Sequence, residues 1–490
     1  MKTALSKSRY TRGLQCHKSL WLYTHEFNLR TKPDAGTTAR FNEGHHVGEL
    51  AQQLFPGGVT IAYDSQNHER QVRKTVSAMK TAKVIYEATF YYDGVLVMAD
   101  IMRKVRGSWE LYEVKSSTGL KDIYQHDIAV QYHVISSSGI KISKACLVHI
   151  NNEYVRKGAV DVHEFFTTAD VTAEVKGEQA EVKKEIARQL KMLDGKEPKI
   201  EIGPYCEANY GCDYRSYCWK NIPDNSVFDL GGSKTKRYEL YRAGFELLAD
   251  IPLESVKGQQ RFQVESFQKK STVIEKAELH SFIKTLRYPL CFLDFETFQC
   301  AIPPYDGLKP YQQVPFQYSL HTLKSAKGKL QHQEYLAQPH IDPRKEFIDS
   351  LLEAIPEDAC VLVYNKAFEV DKLKKLAEHF PRKRKRIQQI IDSVVDLMVP
   401  FQKRHLYSWK QQGSHSIKAV LPAFVKGMTY EGMEIGGGSA AMEAYHEMGR
   451  LIDKPKELAK LRKALLEYCC QDTLAMVRLL EVVEIKSKCK

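Results

Sequence analysis

The sequence predicts an α/β protein built from two units and a connector. Two acid-bearing apolar runs, residues 95–100 and 290–296, read as strands, and helix-like stretches follow each of them. The length of 490 residues supports two or three domains. A hydrophobic content of 43% against 27% charged residues is that of a globular chain. No apolar run approaches the roughly 20 residues that a membrane span needs. The basic start has no apolar stretch behind it, so no secretory signal is expected. The net charge is 72 − 60 = +12, which favours an anionic partner, nucleic acid first. The eleven cysteines are odd in number and mostly scattered through apolar segments. With no signal, they point to a reducing cytoplasm and free or metal-bound thiols rather than a disulfide framework.

Residues 1–220 form the first unit. Residues 41–54 read as a helix starting near Asn42. Residues 84–92 and 95–105 read as strands joined by an Asp93-Gly94 turn, and 109–115 as the next strand. A helix over 123–136, a strand over 145–151 and a helix over 178–193 follow. Residues 221–285 read as a connector, with breakers at Pro223-Asp224-Asn225-Ser226 and Leu230-Gly231-Gly232-Ser233. Two short helices around a turn within 238–252 are reminiscent of a helix-hairpin-helix; plain linker helices are the alternative. Residues 286–490 form the last unit. It opens with the strand 290–296, passes through a strand at 361–364 into a helix after Asn365, and closes with a helix over 455–481. The basic run 382–386 is either a track for phosphates or a solvated helix end.

Glu113 and Lys115 lie two apart on one strand and so share a face. Asp100 ends an apolar run, where a carboxylate needs a partner or a metal. Two carboxylates hold a divalent cation against a scissile phosphate, and a lysine beside them orients water or neutralises growing charge. Together with Gln131 on the next helix, Asp100 and Glu113-Val114-Lys115 resemble the PD-(D/E)XK nuclease core, a restriction-endonuclease-like fold. The resemblance is to its RecB-like branch, which includes the iron–sulfur exonucleases associated with CRISPR adaptation. It implies Mg²⁺ or Mn²⁺ on Asp100 and Glu113, Lys115 at the attacking water, and Gln131 in the same catalytic site. Ile135 stands where the family often has a tyrosine four residues after the glutamine. Gly48 stands at the family's usual histidine position, with His46 and Glu49 as the two substitutes.

Cys16 precedes this core, and Cys206, Cys212 and Cys218 follow it, successive members of the trio being separated by five residues. Structural zinc sites usually pair ligands more tightly. The wider spacing with one remote ligand suits an iron–sulfur cluster held by four thiolates; zinc and free thiols are the alternatives. The same family carries one cysteine before the core and three after it, which implies a 4Fe-4S cluster closing the domain. Tyr205, Tyr210, Tyr214, Arg215, Tyr217 and Trp219 flank the trio and are expected to shield the cluster or stack on bases.

Asp294 and Glu296 share one face of an apolar strand, a costly arrangement unless a cation binds them. Glu369 follows the strand at 361–364 at a helix start, and Tyr468 and Asp472 stand at i, i+4 on the last helix. In this order the residues resemble the DnaQ-like exonucleases of the DEDD type with tyrosine, an RNase H-like fold. The resemblance implies that Asp294, Glu296, Glu369 and Asp472 hold two metals and that Tyr468 orients water. Glu369 stands where the family usually has aspartate, and Asp371 is its understudy. Segments 413–422 and 430–440 fit this second domain and read as loops and helix starts for phosphates, or as plain turns.

The expectation is a bifunctional, metal-dependent DNA nuclease, an exonuclease on DNA ends or single strands in repair, recombination or defence. The chain has no G-x-x-x-x-G-K-[ST] motif, so it acts on exposed ends or borrows a separate helicase. A nucleic-acid-binding protein with one or both sites decayed, and an RNA exonuclease, are the alternatives.

Overall fold

A computed structural model describes residues 5–208 and 211–488; Tyr210 lies outside them. The chain divides into two compact units. The first comprises the described residues up to Asn221 together with Cys300–Gln312; the second comprises Ile222–Gln299 and the residues from Gln313 onward. Both units mix strands and helices, as an α/β protein does. No helix among the described residues is long and apolar enough to cross a membrane.

The first unit holds strands β1 (Leu5–Ser6), β2 (Val59–Thr60), β3 (Val84–Tyr92), β4 (Val95–Val105), β5 (Ser108–Lys115), β6 (Ile142–Ile150) and β7 (Phe166–Asp170). They form one sheet in the order β2-β3-β4-β5-β6-β7, with β1 beside β4. β3, β4 and β5 are an antiparallel meander, and β6 returns parallel to β5 after the helix Asp122–Ser137. Asp93 and Gly94 both have positive φ, 45° and 82°, the backbone that a tight two-residue hairpin turn requires. Alternate residues bury opposite faces. Ile85, Val97 and Leu111 pack with Ile128 and Val134 of Asp122–Ser137. Tyr86, Ile101 and Tyr112 pack with Val47 and Ala51 of the helix Ala35–Ala51, and Ala301 joins them. That helix begins before the expected Asn42, because the Asp34 carboxylate caps it by accepting the Thr37 N–H at 2.7 Å.

The second unit holds β8 (Thr272–Ile274), β9 (Leu290–Phe298), β10 (Val314–Leu323), β11 (Gln331–Leu336), β12 (Cys360–Val363), β13 (Val394–Asp396) and β14 (Leu406–Ser408). Five form a sheet in the order β11-β10-β9-β12-β13. β9, β10 and β11 are antiparallel, while β12 runs parallel to β9 and β13 parallel to β12. Leu293, Phe295 and Leu320 bury one face against Phe347, Leu373 and Ile387 of three following helices. The helix Pro455–Ser487 covers the other face: the Leu465 carbonyl accepts from Gln317 Nε2 at 2.7 Å, and Thr473 meets Ser319 at 2.7 Å.

Residues 222–285 are not a separate connector. Val227, Leu230, Leu240, Leu248, Ile251 and Val264 form their own small core, and β8 pairs with β14. The α-helices are Lys234–Arg242, Gly258–Gln268 and Lys276–Ile283; of the two short helices expected within 238–252, the first ends at Arg242 and the second is a single 3-10 turn, Leu248–Asp250. Gly244, at φ 91°, ends the first of them early. The basic run 382–386 is partly tied down. Lys383 pairs with Asp349 and Arg386 donates to the Ile355 carbonyl at 2.5 Å, while Arg382, Arg384 and Lys385 are exposed.

Candidate functional site

The first centre sits where the meander opens. β4 and β5 pair from Val105↔Ser108 to Ile101↔Tyr112, and β3 and β4 pair on both sides of Glu87 and Asp100 but not at them. By register, Glu87, Asp100 and Glu113 fall in one row across β3, β4 and β5. Like charges directly opposite one another are unfavourable, and the row departs from a regular ladder. Glu87 adopts a left-handed φ of 57°, and Asp100 Oδ2 accepts the Val114 N–H at 2.7 Å. β1 pairs with Val95 and Leu96, upstream of the stretch where β5 pairs, and Lys7 follows it directly.

Lys7 Nζ donates to Glu113 Oε1 at 2.6 Å, and Lys115 Nζ donates to the same oxygen at 2.9 Å. Lys115 also reaches Asp127 Oδ2 at 2.5 Å. Gln131 Nε2 donates to Glu113 Oε2 at 2.6 Å, so Asp100, Glu113, Lys115 and Gln131 are brought together. Burial, then the charge of Glu113, push the Asp100 carboxyl up to about 7, against Lys7. Burial acts on Glu113 in the same sense, but Lys115 and Lys7 outweigh it and hold that carboxyl down at about 2. Burial opposes the charge on Lys115, yet Glu113 and Asp127 raise it above its ordinary value. Of the two expected substitutes for the family's histidine, His46 acts by its charge on Glu43, and Glu49 is exposed. His45 is the residue of that stretch whose charge reaches Glu87. Sequence reasoning missed Lys7, Glu87 and Asp127. Beyond Lys115, residues Ser116–Lys121 with Tyr124 and Tyr311 line an open cleft.

The four cysteines surround one cavity, lined also by Tyr205, Tyr214, Arg215 and Trp219. Cys16 sits at the break between helices Lys7–Gln15 and His17–His25, and Cys218 ends the short helix Arg215–Cys218. Arg12 clamps Asp213 through two hydrogen bonds, 2.5 and 3.1 Å, which ties the start of the chain to the cysteine trio. Gly203 N–H donates to Cys206 Sγ at 3.5 Å, and Trp219 lines the same cavity. Burial raises the Cys16, Cys206 and Cys218 thiols, the last to about 11, and their neighbours in the quartet add to the rise.

The second centre lies on β9. Its pairing with β12 ends at Phe292↔Leu362, and Asp294 stands just past that point, opposite Ser319. Asp294, Glu296 and Asp472 bring ligand oxygens within 4.8 Å of one another. Tyr430 O–H donates to Asp472 Oδ1 at 2.6 Å, and Tyr468 helps to hold the same carboxyl down. Cys469 S–H donates to Asp294 Oδ2 at 3.7 Å. The helix Gly438–Arg450 starts against Glu296; a side chain at Gly438 would stand 3.5 Å from Glu296 Oε2. Glu369 is buried in the first turn of Lys366–His379, and its charge acts on Asp294. Its Oε2 is buried with no hydrogen-bond partner. Asp371 is no understudy: it pairs with Lys372 at 2.6 Å and Lys375 at 2.8 Å.

Burial, then Asp472, Glu296 and Glu369, push Asp294 well above the usual carboxylate range. Burial and Asp472 push Glu296 up to about 8, and burial pushes Glu369 up to about 8. Asp472 rises to about 6 on burial, with Tyr430, Lys418 and Tyr468 restraining it. Lys418 Nζ stands 5.4 and 5.5 Å from the Tyr430 and Tyr468 ring centres and donates to the Gly436 carbonyl at 2.5 Å. Crowded, desolvated carboxylates with an unpartnered buried oxygen form an all-oxygen donor set that fits a hard divalent cation.

Residues 291–416 match a family described as a domain of unknown function (DUF2779). The matched stretch contains Asp294, Glu296 and Glu369 and stops short of Tyr468 and Asp472. The chain is similar to an uncharacterized protein, the MG366 homolog of Mycoplasma pneumoniae, at 26% identity over 245 residues, 46% of this chain and 37% of the relative. It is also similar to the uncharacterized protein MG366 of Mycoplasma genitalium, at 26% identity over 212 residues, 39% of this chain and 32% of the relative. The aligned part therefore spans about a third of the length of these relatives.

Proposed function

We propose that this protein is a divalent-metal-dependent nuclease with two hydrolytic centres, acting on DNA ends or single strands in the cytoplasm. The observation that bears most weight is the convergence of Asp294, Glu296 and Asp472 within 4.8 Å, from a strand and a helix 176 residues apart at the nearest. The strand order β11-β10-β9-β12-β13, with three antiparallel strands followed by two parallel ones, supports an RNase H-like second unit of the DnaQ kind. The meander β3-β4-β5 with its helical crossover to β6 supports a restriction-endonuclease-like first unit of the RecB kind.

Asp294, Glu296, Glu369 and Asp472 would hold Mg²⁺ or Mn²⁺ in the second centre, and Asp100 and Glu113 in the first. When bound, such cations activate a water and stabilise the leaving oxygen of a phosphodiester. Tyr468 orients that water in the second centre, with Lys418 offsetting charge beside Glu296 and Asp472. In the first, Lys115 takes the water-orienting role, held by Asp127 and Glu113. The four cysteines would hold a 4Fe-4S cluster. The five-residue spacing of Cys206, Cys212 and Cys218 with the remote Cys16, all four lining one cavity, supports a cluster over a tightly paired zinc site. The net charge of +12 supports steering of DNA to both centres.

A second reading keeps the first unit as a binder that does not cut. It is favoured by the double engagement of Glu113 Oε1 by Lys7 and Lys115, which neutralises that carboxylate without a cation. The deciding experiment uses anaerobically purified protein on 3′- and 5′-labelled single-stranded DNA with Mg²⁺ or Mn²⁺. Metal-dependent degradation, lost in stages in Lys115→Ala and Asp294→Ala, is the expected result. Binding without degradation in either metal would overturn the proposal, and degradation of RNA alone would change the substrate.

A further inference from the structure

A third cluster lies beside the second acid centre, toward the edge of the second unit's sheet, and shares no ligand with it. His321 on β10, His332 on β11 and Cys470 on the helix Pro455–Ser487 each bring one ligand atom within 4.8 Å of the others. The hairpin register alone sets up half of this site. His321 and His332 are directly opposite in the β10–β11 ladder, so both imidazoles project from one face. Their rings stack with centroids 4.4 Å apart.

Each ring has one nitrogen tied to a hydroxyl. His321 Nδ1 lies 2.8 Å from Thr473 Oγ1, and His332 Nε2 lies 2.9 Å from Ser319 Oγ. The two hydroxyls are themselves joined at 2.7 Å. This leaves the other nitrogen of each ring for coordination, which is how metal-binding histidines are oriented by outer partners. Glu334 Oε2 stands 3.9 Å from His332 Nε2.

We propose that His321, His332 and Cys470 bind a zinc ion that pins the β10–β11 hairpin to the helix carrying Tyr468 and Asp472. Two imidazole nitrogens and one thiolate are a zinc donor set, and water completes the tetrahedron. The Cys470 thiol gives its proton to solvent as the Zn–S bond forms. The acid centres offer oxygen alone and select Mg²⁺ or Mn²⁺, so the two neighbouring sites sort metals by ligand softness. The adjacent thiols divide the work by helix face: Cys469 turns to Asp294, and Cys470 to the histidines. The proposal stands whether or not the protein is a nuclease.

The test is the zinc content of the full chain, measured by mass spectrometry after dialysis against micromolar zinc. Wild type, His332→Gln, Cys470→Ser, Cys212→Ser and Asp294→Asn are compared. The expected result is one zinc ion per chain fewer in both His332→Gln and Cys470→Ser, with that ion retained in the other two variants. His332 lies on the partly exposed edge strand, so its variant keeps the fold. As a second readout, zinc should raise the melting temperature of the wild type by more than that of His332→Gln. Equal zinc content in wild type, His332→Gln and Cys470→Ser, or no zinc taken up by the wild type, overturns the proposal.

Discussion

In the first unit Glu113 meets two ammonium groups, Lys7 at 2.6 Å and Lys115 at 2.9 Å. In the second, Asp294, Glu296 and Asp472 crowd together, with Lys418 as the cation that acts on Glu296 and Asp472. One strand-borne acid pair is thus balanced by the chain's own lysines, and the other is left with an excess of carboxylate. The difference teaches which centre its own side chains leave short of positive charge. A buried carboxylate with two charge-assisted hydrogen bonds is satisfied. A buried carboxylate facing other carboxylates is not, and it must take up either protons or metal.

The largest break in this comparison is expected from Asp294→Ala. Losing a partner one step outside the ligands costs roughly 10–100-fold, and loss of a central ligand should exceed that in 3′-end trimming. A gel assay that finds trimming unchanged would remove the second centre from the account. Lys115→Ala should lower cleavage by the first centre by about 10²–10³-fold, the scale of losing one preorganised electrostatic group. Trimming of 3′ ends should persist in that variant; if both activities fall together, the centres are not independent.

The electrostatic contrast has a pH signature, read by calorimetry on chelator-treated protein. Glu296 and Glu369, both raised to about 8, keep protons in the folded state that the unfolded chain releases above about 4.3. Their contribution to stability is complete below that value and is lost as the pH rises toward 8. Glu113, held at about 2, runs the other way: its contribution is present at neutral pH and is lost as the pH falls toward 2. Asp100, at about 7, partly offsets this, so the first unit's slope should be the shallower between pH 5 and 8. Mg²⁺ or Mn²⁺ at 100 times its Kd should add about 2.7 kcal/mol and flatten the second unit's decline. Equal slopes in the two units, untouched by metal, would dissolve the contrast. The smallest effect is reserved for Glu87→Gly. Relief of the left-handed backbone at φ 57° should stabilise the first unit by about 1 kcal/mol, visible as a higher melting temperature.

Much of this architecture is legible in the chain. β3 and β4 match the expected strands to the residue, because near-continuous apolar runs buried on both faces and an Asp-Gly turn between them fix their ends. Asp294, Glu296 and Asp472 could be grouped because two acids on an apolar strand are conspicuous. Lys7 could not: it follows a strand of two residues, too short for any pattern, and meets an acid 106 positions away. Glu87 reads locally as an ordinary solvated strand position, and only the register puts it in the acidic row. Lys418 and Tyr430 lie in polar segments that read as phosphate-holding loops, yet both act on Asp472. The connector reads as linker because its glycines and prolines punctuate short elements, and its small core emerges only when distant residues pack. His321 and His332 are eleven residues apart with no metal-binding spacing; the hairpin register alone makes them neighbours.

The segment Cys300–Gln312 interrupts the second unit between β9 and β10, yet it belongs to the first. Its Ala301 is fully buried with the first unit's apolar residues, its N–H is taken by Glu43, and Tyr311 O–H donates to the Ser116 carbonyl. A ribosome making this chain therefore releases 221 residues of the first unit without the piece that completes its core. That piece emerges only after β9, so the second unit's sheet has begun before the first unit is finished. Neither unit can be cut free at one linker without leaving a gap in one and a stranded apolar loop on the other. The order of synthesis, rather than a hinge, binds the fates of the two units during folding.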